Sequence, residues 1–152
     1  MTTWDAVTSA VGLALSGDRQ AGRSALLECW TGTTSDDHAH RCVLAHYLAD
    51  LEDEVADEVG WDERALALYA GVRDDDLAPA GIASSRGLAP SLHLNLGDGY
   101  LRQGRIDDAA AQLAAGLGAQ DALVDDGYGE LVRRGLAALE RRLDAARSGT
   151  TG

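Results

Sequence analysis

The stretch PSLHLNLGDGYLRQGRIDDAAAQLAAGL, residues 90–117, decides the fold. Pro90 suits the first turn of a helix, and large apolar residues then recur at steps of four, as on one face of that helix. Gly104 ends the pattern, and Asp107 can cap a second helix that continues to about residue 117. The stretch therefore predicts two helices joined by a tight turn, the first carrying the stripe Leu92, Leu96 and Tyr100.

The helical period extends through the rest of the chain, where no alternating strand pattern is present. We predict two earlier helix pairs, over about residues 4–30 and 38–70, the first turning at Gly17. In the second pair we expect a long helix from about His38 to Glu54 and a break at Gly60. The sequence therefore predicts an all-α protein.

The remaining segments comprise a connector, a last helix and a tail. Residues 71–89 are rich in Gly, Ser and Asp and are predicted to be a mobile connector with a helical turn. A last helix is expected over about residues 127–147, and the small polar residues 148–152 are predicted to be disordered. The apolar stripe of the last helix is Val132, Leu136, Leu139 and Leu143.

Residues 90–117 resemble a tetratricopeptide repeat, because small and large residues stand at that family's positions. In the repeat, Gly97 and Ala109 would be small because the two helices cross closely there. His93 departs from the pattern where the family usually has a large aromatic residue, and Asp121 departs where it often has proline. The matching positions are Leu96, Gly97, Tyr100, Gly104, Ala109 and Leu113.

The resemblance implies a right-handed stack of three helical hairpins, 4–30, 38–70 and 90–118, closed by the capping helix 127–147. The middle hairpin matches more weakly and needs an insertion of about two helical turns before Ala65. The string HRCVLAHYLAD, residues 40–50, is similar to small bacterial members of this class whose role is undefined. The resemblance thus implies that residues 1–147 form one domain.

The composition excludes several classes of protein. The 152 residues carry a net charge of -12, which disfavours nucleic acid and anionic membrane surfaces as partners. No apolar run is long enough for a membrane span, and the N-terminus lacks the basic start of a signal peptide. Two cysteines are too few for a disulfide framework, so we expect the reducing cytoplasm. The absence of Lys and Phe beside abundant Ala, Gly, Asp and Arg indicates a GC-rich bacterial genome.

One helix carries a stripe of residues that could bind a metal. His38, Cys42, His46 and Asp50 are spaced four apart, and a Cys–His pair at that spacing can share an ion. One straight helix cannot bring three such residues around one ion, so His93 or Asp98 would have to complete the site. A metal-binding enzyme or sensor on His38, Cys42, His46 and His93 is thus the alternative function; otherwise Cys42 simply packs and the histidines form hydrogen bonds.

In the repeat's register, the same stripe faces a concave groove. Tetratricopeptide domains commonly bind extended peptides or partner helices there, so the resemblance implies a non-enzymatic interaction module without a cofactor. Asp50 and Asp98 would suit a basic or mixed ligand. A regulatory role, as a ligand-sensing part of a transcription system acting through another chain, is a third possibility. The predicted groove residues are Cys42, His46 and Asp50 in the second hairpin and Ser91, Leu94, Asn95, Asp98, Leu101 and Arg102 in the third.

The last helix differs in charge from the rest of the chain. Residues 131–152 hold five arginines against Glu140 and Asp144, a balance of +3, whereas the first 130 residues carry -15. The arginines could face water or the acidic body of the same chain. The alternative is a homodimer in which this helix contacts the acidic surface of another copy, and such a dimer would dissociate as salt rises.

Overall fold

The computed structural model describes residues 1–149, which form α-helices, short 3₁₀ turns and loops and contain no β-strand. The all-α prediction is confirmed. The chain divides into two compact units, Met1–Ser85 and the part from Arg86 onward. The α-helices of the described residues are α1 (Trp4–Leu15), α2 (Arg19–Thr31), α3 (His38–Ala49), α4 (Val55–Tyr69), α5 (Ala89–Arg102), α6 (Ile106–Ala119) and α7 (Gly127–Gly149).

In the first unit, α1 packs on α2 and α3 on α4, and both α1 and α2 also contact α3. The α1–α2 turn is short because Gly17 adopts a left-handed φ of 102° and the Asp18 carboxylate accepts a hydrogen bond from the Ala21 N–H. Gly22 then lets α2 approach α1, since a Cβ there would lie 2.5 Å from Ala14 Cα. The core of this unit includes the fully buried Val7, Leu26, Leu44, Leu48 and Ala65.

The predicted boundary between the third and fourth helices is wrong. Helix α3 ends at Ala49, residues 50–54 form the turn, and α4 runs through Gly60 without a break. The Glu52 carboxylate fixes this turn, because it accepts hydrogen bonds from Arg23 Nη2 at 3.0 Å and Trp61 Nε1 at 3.2 Å. Gly60 is tolerated because tertiary packing outweighs its low helix propensity.

The connector after α4 is partly ordered by hydrogen bonds. It contains the 3₁₀ turns Ala78–Ala80 and Ser85–Gly87, in agreement with the predicted helical turn. The Tyr69 hydroxyl donates to the Ser85 carbonyl at 3.0 Å, and Leu77 is fully buried.

In the second unit, α5 and α6 pair around the turn at Gly104, whose φ is 75°. The close approach predicted at Gly97 and Ala109 is present, because a Cβ on Gly97 would lie 3.6 Å from the Ala109 carbonyl oxygen and 3.3 Å from Gln112 Cβ. Gly116 is a further small position, where a Cβ would lie 2.8 Å from Leu136 Cδ2.

Helix α7 packs on both α5 and α6. Its predicted stripe is confirmed, since Val132, Leu136, Leu139 and Leu143 are all buried. The helix continues to Gly149, past the predicted end at residue 147. The rest of the tail predicted to be disordered, residues 150–152, lies outside the described residues.

Two glycine substitutions in the first unit test these assignments. We expect Gly22→Ala to destabilise the protein by about 1–3 kcal/mol, because the new methyl group would overlap the backbone of Ala14. Gly60→Ala should instead stabilise it by about 0.5–1 kcal/mol, because Gly60 lies inside α4 with open space around it. Urea unfolding measures both, and a destabilising Gly60→Ala would contradict the placement of Gly60 in the interior of α4.

Candidate partner-binding surfaces

Cys42 lies in the interface between α3 and α4. Its side chain is fully buried, and its thiol donates to the Ala65 carbonyl with an Sγ–O distance of 3.4 Å. Burial raises the pKa of this thiol to about 12, so it stays protonated. Cys42 therefore packs as a small apolar residue, and nothing in this placement offers its sulfur to a ligand.

His46 is also buried, and its ring meets that of Tyr47 edge to face at 5.2 Å between centroids. Burial lowers the pKa of His46 to about 4, which keeps the imidazole neutral near pH 7. The ring contributes to packing, in contrast to the predicted place on a groove surface.

Asp50 closes the C-terminus of α3 and is exposed as a residue. Partial burial of its carboxyl group raises the pKa of Asp50 to about 6, and Glu58 adds to the rise while Arg19 opposes it. Within the first unit, Asp50 is the predicted groove residue that remains accessible to a partner.

The histidines proposed as metal ligands each have a separate environment. The His38 ring lies against Gly71, where a Cβ would come within 2.6 Å of its Nδ1. His93 donates from Nδ1 to Gln112 Oε1 at 2.8 Å. Among residues 1–149, no three His, Cys, Asp or Glu side chains are grouped so that they could hold a metal ion.

In the second unit, α7 contacts Ser91, Leu94 and Asp98 among the predicted groove residues of α5. The hydroxyls of Ser91 and Tyr128 form a hydrogen bond, and Leu94 lies against Gly135, where a Cβ would be 2.5 Å from Leu94 Cδ2. The stripe on α5 therefore holds a helix of the same unit.

Charge pairing completes this contact between α5 and α7. The Asp98 carboxylate binds Arg142 Nη1 at 2.7 Å and Arg102 Nε at 2.9 Å. Asp98 therefore binds an arginine of α7, where the sequence predicted a basic external ligand. Within this predicted set, Arg102 is exposed and Asn95 is half-buried.

Sequence reasoning missed a groove on the first hairpin. A cavity of about 470 Å³ opens between α1 and α2. Its signal in the sequence is a set of small residues that share one face of α1, Ala6, Ser9 and Ala10. The full lining is Met1, Thr2, Ala6, Ser9, Ala10, Leu13, Ala25, Glu28, Cys29 and Gly32.

Comparison of the chain with protein-family models, with curated proteins and with solved structures gives no match. Within residues 1–149, no helix combines the length and the apolar character that crossing a bilayer requires.

The two cysteines should differ sharply in reactivity. Cys29 is partly exposed, so we expect Ellman's reagent to label it in the folded protein, although burial and the neighbouring Glu28 raise its pKa and slow the reaction. Cys42 should react only when the protein unfolds. The Cys29→Ser variant should therefore release no colour when folded and one equivalent in urea; fast labelling of the folded variant would disprove the burial of Cys42.

The buried His46 should make stability depend on pH. The folded protein holds His46 neutral down to about pH 4, whereas the unfolded chain takes up the proton near pH 6.5, so stability falls as pH drops through this window. Asp50 opposes this below about pH 6, because its raised pKa makes the folded state bind a proton first. The comparison is therefore cleanest in an Asp50→Asn background.

In the Asp50→Asn background, the His46→Gln substitution should remove this pH dependence of the free energy of unfolding. The difference in unfolding free energy between the Asp50→Asn variant with His46 and the same variant with His46→Gln should change by about 2 kcal/mol between pH 7.5 and 5.0. Urea unfolding at both pH values measures this difference. A constant difference would show that His46 titrates normally in the folded protein.

Proposed function

We propose that this protein is a non-enzymatic protein-interaction module of the tetratricopeptide-repeat kind, in which helical hairpins hold a helical or extended segment of a partner. Its three hairpins and closing helix would form a right-handed stack in a bacterial cytoplasm. The support is the repeat-like spacing of residues 90–117 together with the close crossing of α5 and α6 at Gly97 and Ala109.

The observation that carries the proposal is the way α5 receives α7. One stripe of α5 offers a hydroxyl at Ser91, an apolar side chain at Leu94 and a carboxylate at Asp98. On α7, these three groups meet the Tyr128 hydroxyl, the space beside Gly135 and the Arg142 guanidinium, respectively. A hairpin face that binds one helix by apolar fit and charge pairing has the chemistry to bind others of the same kind.

The charge of the first unit favours a basic partner segment. Residues 1–85 carry 5 basic and 16 acidic side chains, a balance of -11. Asp50 presents a carboxylate at the end of α3, and complementary charge speeds encounter and orients the bound segment. We therefore propose a basic amphipathic segment as the ligand of the first unit, with Asp50 as its contact residue. In the second unit, Asn95 and Arg102 are the residues that we propose to contact the partner.

Site-specific photocrosslinking in the native cell tests the proposal. Benzoylphenylalanine at Asp50 and, in a separate variant, at Arg102 should capture the same discrete protein. The same probe at Ala114, an exposed residue of α6, should not capture it. Equal capture from all three positions, or adducts of the chain with itself alone, would contradict a partner-binding role for these residues.

A charge change then tests the chemistry of the contact. Once the partner is known, Asp50→Lys should weaken its binding by about tenfold or more, because an attractive charge becomes repulsive. Asp107→Lys, an exposed change of the same charge on α6, is the matched control and should leave affinity within about twofold. Equal effects would show that only net charge matters.

A further inference from the structure

The large apolar side chains that residues 1–149 leave exposed are confined to two regions, one in each unit. In the first unit they lie on and beside α1, and in the second they lie at the start of α7 and in the loop before it. Single exposed apolar residues are ordinary, but clusters mark contact surfaces. The residues are Met1, Leu13 and Leu15 in the first unit and Val124, Tyr128 and Leu131 in the second.

The first region includes the groove between α1 and α2, which we call the hairpin groove. Its walls carry Ala6 and Ala10 on α1 and Ala25 on α2, small residues that let another helix approach closely. Leu13, 39% exposed, stands at one end of the apolar wall. The Glu28 side chain lines the groove and forms no ion pair within the described part of the chain.

The second region continues into an outward stripe on α7, which we call the arginine stripe. Its members recur at steps of three and four residues, and they lie off the buried Val132–Leu143 face. Leu131 is 66% exposed, and Arg141 has no acidic partner among residues 1–149. The stripe consists of Leu131, Arg134, Ala138, Arg141 and Ala145, so it carries positive charge and no acidic residue.

We propose that the arginine stripe of one copy docks in the hairpin groove of a second copy. Both surfaces are uncovered, and their charged side chains are opposite in sign, because Glu28 lines the groove and the stripe carries Arg134 and Arg141. The surrounding charge has the same signs: residues 1–85 carry -11 and residues 131–149 carry +3. Their lengths also agree, because α1 spans about 18 Å and the stripe about 21 Å at the rise of an α-helix. In this contact Leu131 enters the apolar part of the groove, and Arg141 pairs with Glu28.

Because this contact joins two different surfaces, a copy whose groove is occupied can still bind a further copy through its arginine stripe. None of Asp50, Asn95 and Arg102, which we assign to a foreign partner, belongs to the hairpin groove or to the arginine stripe. Self-association therefore stands or fails independently of the proposed function.

A mixing experiment tests the contact. We expect the wild-type chain to associate at high micromolar concentration, and Leu13→Glu and Leu131→Glu each to be monomeric in light scattering. A 1:1 mixture of these two variants should form a species of twice the monomer mass, because one intact groove meets one intact stripe. Recovery on mixing also shows that both variants are folded.

Matched controls replace exposed apolar residues outside the contact. Leu15 and Val124 belong to the two exposed regions, but Leu15 does not line the groove and Val124 is not part of the stripe. Leu15→Glu and Val124→Glu should therefore associate as the wild type does. Charge reversal gives a second test: Glu28→Arg and Arg141→Glu should each weaken association by about tenfold, and the double variant should restore it. Raising salt from about 0.05 to about 0.5 M should weaken the wild-type contact.

A wild-type chain that stays monomeric, variants that associate unchanged, or a mixture that remains monomeric would overturn the proposal. Loss of association in the two controls to the same extent would likewise overturn it, since apolar exposure in general would then be responsible.

Discussion

The structure depends on helices crossing at distances that only small residues allow. At Gly22 the backbone of α1 lies where a Cβ would be, and at Gly97 and Gly116 neighbouring side chains fill that space. Close crossings bring the flanking leucines into contact, and that burial stabilises helices that would be marginal alone. These small residues determine how closely the paired helices pack and where α7 lies, because Gly97 and Gly116 both face leucines of α7.

The same geometry explains why the predicted groove residues have different roles. Cys42 and His46 fall on the packed side of α3, where burial keeps a thiol protonated and an imidazole neutral. Ser91, Leu94 and Asp98 fall where α7 lies, so their polar and apolar groups are satisfied within the second unit. Asp50 and Arg102, each at the C-terminal end of its helix, are the predicted groove residues of these two helices that stay exposed.

Much of the fold could be predicted because helical periodicity is a local property of the chain. The stripe Val132–Leu143 and the turn at Gly104 were evident from spacing alone. The turn at 50–54 was not, because its acidic residues are compatible with a helix and its geometry depends on Arg23 and Trp61 holding Glu52. The helix break predicted at Gly60 is also absent, because tertiary packing outweighs the low helix propensity of a single glycine. The candidate site was predicted less well, since residue spacing shows which side chains share one face of a helix but not which other helix packs against that face.

The sequence by itself determined the all-α class, the helix pairs that turn at Gly17 and Gly104, the buried face of α7 and the unequal distribution of charge. These follow from periodicity and composition, which act over one or two helical turns. Only the tertiary structure decided that α7 covers the stripe on α5, that Cys42 is buried against Ala65 and that a groove opens between α1 and α2. Such features depend on contacts between residues far apart in the chain, where the shape of one helix selects what fits against another.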